Sequence, residues 1–119
     1  MHTVSNLKAQ ILKVVRKHVG EENAITAGEI ATEIDPVNLT GRQVQVAIKE
    51  LRIEGEMVLS TRHAGYFMPK NRDEWIAFRD GYLRPRAMEI LSMASAMTGA
   101  ATRRWGMSSE PFPGLTTAQ

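Results

Sequence analysis

The sequence predicts a mainly α-helical domain that carries one small β-hairpin and continues into a C-terminal helix. Three observations predict it. Apolar residues recur at helical spacing through most of the chain. Capping patterns mark helix starts at Thr26, Thr40 and Asn71. The period drops to two only between about residues 56 and 68. A length of 119 residues suits one compact domain with an extension.

The first helix is expected to start at Ser5 as N-cap and to end at Gly20. Leu7, Ile11, Val14, Val15 and His18 share an arc of about 100° at the α-helical period. His18 then reads as a packed residue near the helix end rather than a ligand. Lys13, Arg16 and Lys17 form a basic stripe opposite, either a phosphate contact or a solvated face.

The second helix opens on the capping box Thr26-Ala27-Gly28-Glu29, buries Ile30, Ala31 and Ile34, and stops at Asp35-Pro36. The third opens on Thr40-Gly41-Arg42-Gln43 and runs to about 54, with Gly55 as its C′ residue. Two short helices joined by a tight turn make a helix-turn-helix layout. Residues 56–60 read as a strand, 61–65 as a turn and 66–68 as the returning strand, closed by Pro69. Asn71 then caps a long helix, with Glu74 three residues on and Pro85 placed to kink or split it. The expected organisation is a domain over 5–70, a helical extension over 71–101 and a flexible tail over 102–119.

Composition excludes several classes. The chain has no Cys and three His, which removes disulfide scaffolds, thiolate metal sites and thiol catalysis and argues against a histidine cluster. No metal or cofactor is expected. No phosphate loop, nucleophile elbow or His pair at helical spacing is present, so no enzymatic activity is expected. No apolar run reaches the roughly 20 residues of a membrane span, and no signal peptide is read, so a cytoplasmic protein is expected. The net charge is only +2, but residues 1–20 hold four bases and no acid, whereas 21–40 hold five acids and no base. Such asymmetry suits a protein that meets a polyanion with one side.

The stretches Ile25-Thr26-Ala27-Gly28-Glu29-Ile30-Ala31, then 42–57 from Arg42-Gln43-Val44-Gln45 to Gly55-Glu56-Met57, then Gly65-Tyr66-Phe67, follow the order of a winged helix-turn-helix domain. Over about residues 5–70 the chain resembles the DNA-binding half of bacterial winged-helix regulators, the GntR type most of all. The resemblance implies a transcriptional regulator that binds double-stranded DNA. The chain departs from that type in a longer turn through 36–39. It also has helical residues and a tail where that family carries an effector domain, so the resemblance gives no ground for small-molecule sensing.

The third helix supports the same expectation on physical grounds. Val44, Ala47, Ile48 and Leu51 form its core face. Arg42, Gln45, Val46, Lys49, Arg52 and Ile53 fall on the outer face, which contains no acid. Arg can bond guanine bidentately, Gln can bond adenine, and Val46 can touch a thymine methyl. Helix-start amides near Thr40 and Gly41 can take a phosphate, and Gln43 in the same first turn is a further candidate DNA contact. Arg62 and His63 at the hairpin turn are the remaining candidate contacts. The alternative is a winged-helix adaptor in a replication or phage packaging assembly, whose hairpin or third helix meets protein.

In the C-terminal helix Ile76, Leu83, Ile90 and Met97 recur every seventh residue, with Ala87 and Ala94 between them. This spacing permits a helix–helix seam in a homodimer. The competing expectation is that the stripe packs on its own domain, anchored by Trp75, Phe78 and Tyr82. Trp105 and Phe112 in the tail are candidate docking residues for a protein partner.

Overall fold

The computed structural model describes residues 4–106, with residues 4 and 5 described by backbone alone. It is mainly helical, with a small antiparallel sheet and a long C-terminal helix. The elements are α1 (Val4–Val15), a 3₁₀ turn (Glu21–Asn23), β1 (Ile25–Thr26), α2 (Ala27–Ile34), α3 (Gly41–Ile53), β2 (Leu59–Ser60), β3 (Gly65–Phe67), α4 (Arg72–Phe78), a π-helical segment (Arg79–Leu83) and α5 (Arg84–Trp105). Two compact units divide between Phe78 and Arg79, so α4 belongs with the first unit rather than with the extension.

The first unit closes around Ile11, Val15, Ile30, Val44, Ile48, Val58 and Leu59, all essentially without solvent contact. They come from α1, α2, α3 and the approach to the sheet. Both expected capping boxes form. Thr26 Oγ1 accepts from Glu29 N while Glu29 Oε1 accepts from Thr26 N. Thr40 Oγ1 accepts from Gln43 N while Gln43 Oε1 accepts from Thr40 N. Asp35 caps the end of α2 and its Oδ1 accepts from the amides of Val37 and Asn38. Buried Leu39 then plugs the turn into the core. Gly55, at φ 100°, ends α3 as expected, in a conformation that favours glycine.

Four expectations need correction. First, α1 already includes Ser5, which is therefore not its cap, and it ends at Val15, not Gly20. Its last amides close onto carbonyls three and four residues back, and the chain then leaves to pair with the sheet. Met68 N donates to His18 O and Gly20 N donates to Met68 O, both at 2.9 Å. That pairing takes the backbone a longer helix would need. His18 therefore stands outside the helix, its Nδ1 2.8 Å from Asn23 O.

Second, the sheet has three strands in the order β1-β3-β2. β1 pairs Ile25 with Tyr66 and Thr26 with Gly65, so Thr26 is both a strand residue and a helix cap. Gly65 is required here, since a Cβ would lie 2.9 Å from that of Ala24. Third, the hairpin is shorter than 56–68. Leu59 pairs with Phe67 and Ser60 with Tyr66, whereas Val58 and Leu59 are both buried and break the alternation.

Fourth, the second unit departs at both ends. The π-helical segment ends two residues before Pro85, which occupies the first turn of α5. A wider turn there accommodates a ring that would otherwise clash with the preceding turn. α5 continues through Trp105 and is closed by Gly106 at φ 68°, so residues 102–105 are helix, not tail. Phe112 and the rest of the expected tail lie outside the described residues.

Candidate functional site

α3 turns its two faces as its periodicity requires. Val44, Ala47, Ile48 and Leu51 are buried, and Arg42, Gln43, Gln45, Val46, Lys49 and Ile53 are exposed. The capping box sets where the helix begins, and the buried four set its rotation. Together they aim Arg42, Gln45 and Lys49 away from the core, within an arc of about 60°.

The charges around this face are arranged asymmetrically. Glu50 and Glu54 flank it, and both are met by Lys8 of α1. Lys8 Nζ hydrogen-bonds Glu54 Oε2 and lies 3.8 Å from Glu50 Oε1. The Glu54 bond, followed by the attraction of both carboxylates, holds the Lys8 ammonium above its ordinary pKa. Arg42 and Lys49 have no ion-pair partner among the described residues. Lys8 therefore offsets about half of the negative charge beside the face, while the face's own cations remain available. Lys8 was not singled out from the sequence, because its partner lies 46 positions away.

Other expected contacts are placed differently. Arg52 is folded inward. Its Nε donates to Val58 O at 2.7 Å and its Nη2 to Ser60 Oγ at 3.1 Å. Its guanidinium carbon also lies 5.8 Å from the Tyr66 ring centroid and 5.4 Å from that of Phe78. Arg52 thus braces α3 against β2 and β3 with two of its five N–H donors and the face of its guanidinium. Thr40 and Gln43 spend their side-chain oxygens on the helix cap, where the Thr40 hydroxyl also donates to Gln43 Oε1 at 3.2 Å. In the stripe on α1 and the turn that follows it, Arg16 lies 3.6 Å from Glu56 and Lys17 lies 2.6 Å from Glu33, which leaves Lys13 without an ion pair among the described residues.

At the hairpin turn, Thr61 Oγ1 accepts from His63 N and Gly65 N, and Ala64 takes φ 66°. These bonds fix the loop backbone and leave the exposed Arg62 and His63 side chains at its tip. Neither has an ion pair among the described residues.

The expected dimer seam is divided. Ile76 lies half-buried in α4, in the first unit, whereas Leu83 ends the π-helical segment that follows. Leu83, Ala87, Ile90, Ala94 and Met97 follow one another along the second unit. Asp80, which interrupts the sequence stripe, pairs with Arg79 at 2.9 Å and Arg84 at 3.6 Å. The hydrogen bond from Arg79 leads the causes that hold its carboxyl below the usual carboxylate range.

Among the described residues no group of three or more His, Asp or Glu is placed to hold a metal ion, and no helix is long and apolar enough to cross a membrane. No protein-family model matches the chain, and no curated protein or solved structure matches it.

Proposed function

We propose that the protein is a winged-helix regulator that binds double-stranded DNA, with α3 in the major groove and the hairpin against the backbone or the adjoining minor groove. The observation that carries this reading is the acid-free outer face of α3. There Arg42 and Lys49 stay unpaired among the described residues, while Lys8 occupies the flanking Glu50 and Glu54. Arg42, Gln45 and Val46 are the base readers and Lys49 and Arg62 the phosphate contacts. Arg52 supports the interface from behind. The same reading places the protein in the cytoplasm with the DNA and assigns it no catalytic role.

Mobility shifts with duplex DNA at several salt concentrations test it. Salt-sensitive binding is expected at ~50 mM salt, where phosphate attraction is strong. Arg42→Ala should cost about 1–3 kcal/mol and relax discrimination at one base pair. Arg62→Ala should weaken all sequences alike and lower the salt slope by about one unit. Absence of salt-sensitive binding by the parent would overturn the reading. So would unchanged affinity in a variant with Arg42, Gln45 and Lys49 all replaced by Ala.

A second reading is a protein-interaction adaptor that uses the same helix. Exposed Val46 and Ile53 on that face favour it. Failure of the DNA test would leave this reading as the stronger one.

A further inference from the structure

α5 is 22 residues long and buries none of them. Three of the large apolar residues that stand in solvent are Leu83, the last residue of the π-helical segment and 38% exposed, and, on α5 itself, Ile90 at 55% and Met97 at 72%. They recur every seventh residue, and Ala87, Ala94 and Ala101 fall four residues after each. The stripe therefore alternates large and small at steps of four and three. Its mean period of about 3.5 is one that a second helix follows along its whole length. A lipid surface requires only an apolar face, and a groove only a few anchors. Neither calls for a small residue in regular alternation with a large one.

We propose that α5 pairs antiparallel with α5 of a second copy, about a two-fold axis that passes beside Ser92. In this register Leu83 meets the partner's Ala101, Ala87 meets the partner's Met97, and Ile90 meets the partner's Ala94. The two-fold repeats each pair, so all six layers join one large side chain to one methyl group. The interaxial distance then stays uniform, as close packing requires. A parallel pair would set Ala against Ala and Ile against Ile in turn, alternating voids with crowding. Leu91 and Met93, exposed on the two flanks of the stripe, come beside their own copies near the axis.

Charge selects the same arrangement. Four Arg stand at the ends of α5, at 84, 86, 103 and 104, and Glu89 is its only acid. A parallel pair would bring each basic end against itself. The antiparallel register sets Arg84 and Arg86 level with the uncharged partner's Ala100 and the partner's Thr98. It also brings Arg104 level with the partner's Asp80, a carboxylate already held in its ionised form by Arg79.

Because the chain has no Cys, introduced thiols report the register directly. Ala87→Cys and Met97→Cys proteins, mixed in equal amounts and mildly oxidised, should form a disulfide-linked dimer. Each variant alone should stay unlinked. Its two thiols would stand about 15 Å apart along the axis, beyond the reach of a disulfide. Linking of a single variant to itself would indicate a parallel pair and overturn the proposal. So would no linking in the mixture, or sedimentation of the parent as a monomer at tens of micromolar. All measurements are made without DNA, so failure here leaves the DNA reading untouched, and failure of DNA binding leaves the pairing standing.

Discussion

α3 and α5 are both regular helices, yet they are stabilised differently. α3 has 13 residues, four of them buried, and starts with a reciprocal cap. α5 has 22 residues, none buried, and starts without a side-chain cap, directly after a π-helical segment. In α3 the apolar face is covered by its own unit, and the opposite, polar face is exposed. In α5 the apolar face itself is uncovered. Helical pattern alone does not distinguish the two, because periodicity records which residues share a face and not what lies against that face.

The largest expected effect tests this contrast directly. Ile48 is 1% exposed and Ile90 is 55% exposed. Ile48→Ala removes a core side chain and should cost about 2–5 kcal/mol in urea denaturation. Ile90→Ala, at concentrations low enough to keep chains apart, should stay within about 0.5 kcal/mol of the parent. Equal losses would mean that α5 is packed as firmly as α3.

Arg52→Met should have the next largest effect. It keeps the stem but leaves Val58 O without the guanidinium donor and takes a partner from Ser60 Oγ. A loss of about 1–3 kcal/mol is expected. Amide exchange should quicken across β2 and β3 while α5 keeps its parent rates. Faster exchange in α5 with an unchanged sheet would contradict the bracing role.

The smallest effect is on pH dependence, read at Glu29 in the first unit and at Asp80 in the second. Hydrogen bonds from Thr26, its backbone amide first, hold Glu29 below its ordinary value, and the bond from Arg79 does the same for Asp80. A carboxylate lowered in the folded state contributes stability above its unfolded pKa. That contribution is lost as pH falls through the folded value. Carbon-detected titration should therefore place both midpoints below ordinary carboxylates. Glu29→Gln should flatten only the first unit's response to acid between about pH 4.3 and the lowered midpoint. An unchanged acid response of the first unit would show that the Thr26 box does not depend on charge.

Features decided within three or four residues were legible. The boxes at Thr26 and Thr40 form because each donor and acceptor belong to one helical turn. The stop at Gly55 and the rotation of α3 are legible for the same reason. The inward turn of Arg52 is not legible, because its position on the helical arc suggests solvent, whereas Val58 and Ser60 accept from it only once the chain has turned into β2. Aromatics at Tyr66 and Phe78 are the trace it leaves in the sequence, and they have other sufficient uses in a core. β1 is two residues long and adjoins a strong helix signal, so no period of two can develop there.

Local chemistry along the chain is enough to set the starts of α2 and α3, the core face of α3, the exposure of Arg42, Gln45 and Lys49, and the seven-residue stripe from Leu83 to Met97. Each follows from local hydrogen bonding or from a repeating angle along one element. Tertiary packing settles where α1 ends, that Ile25 and Thr26 join the sheet, that Lys8 sits between Glu50 and Glu54, and that Arg52 turns inward. These depend on groups far apart in the chain, whose meeting is set by how the apolar faces close over one another rather than by any neighbour in sequence.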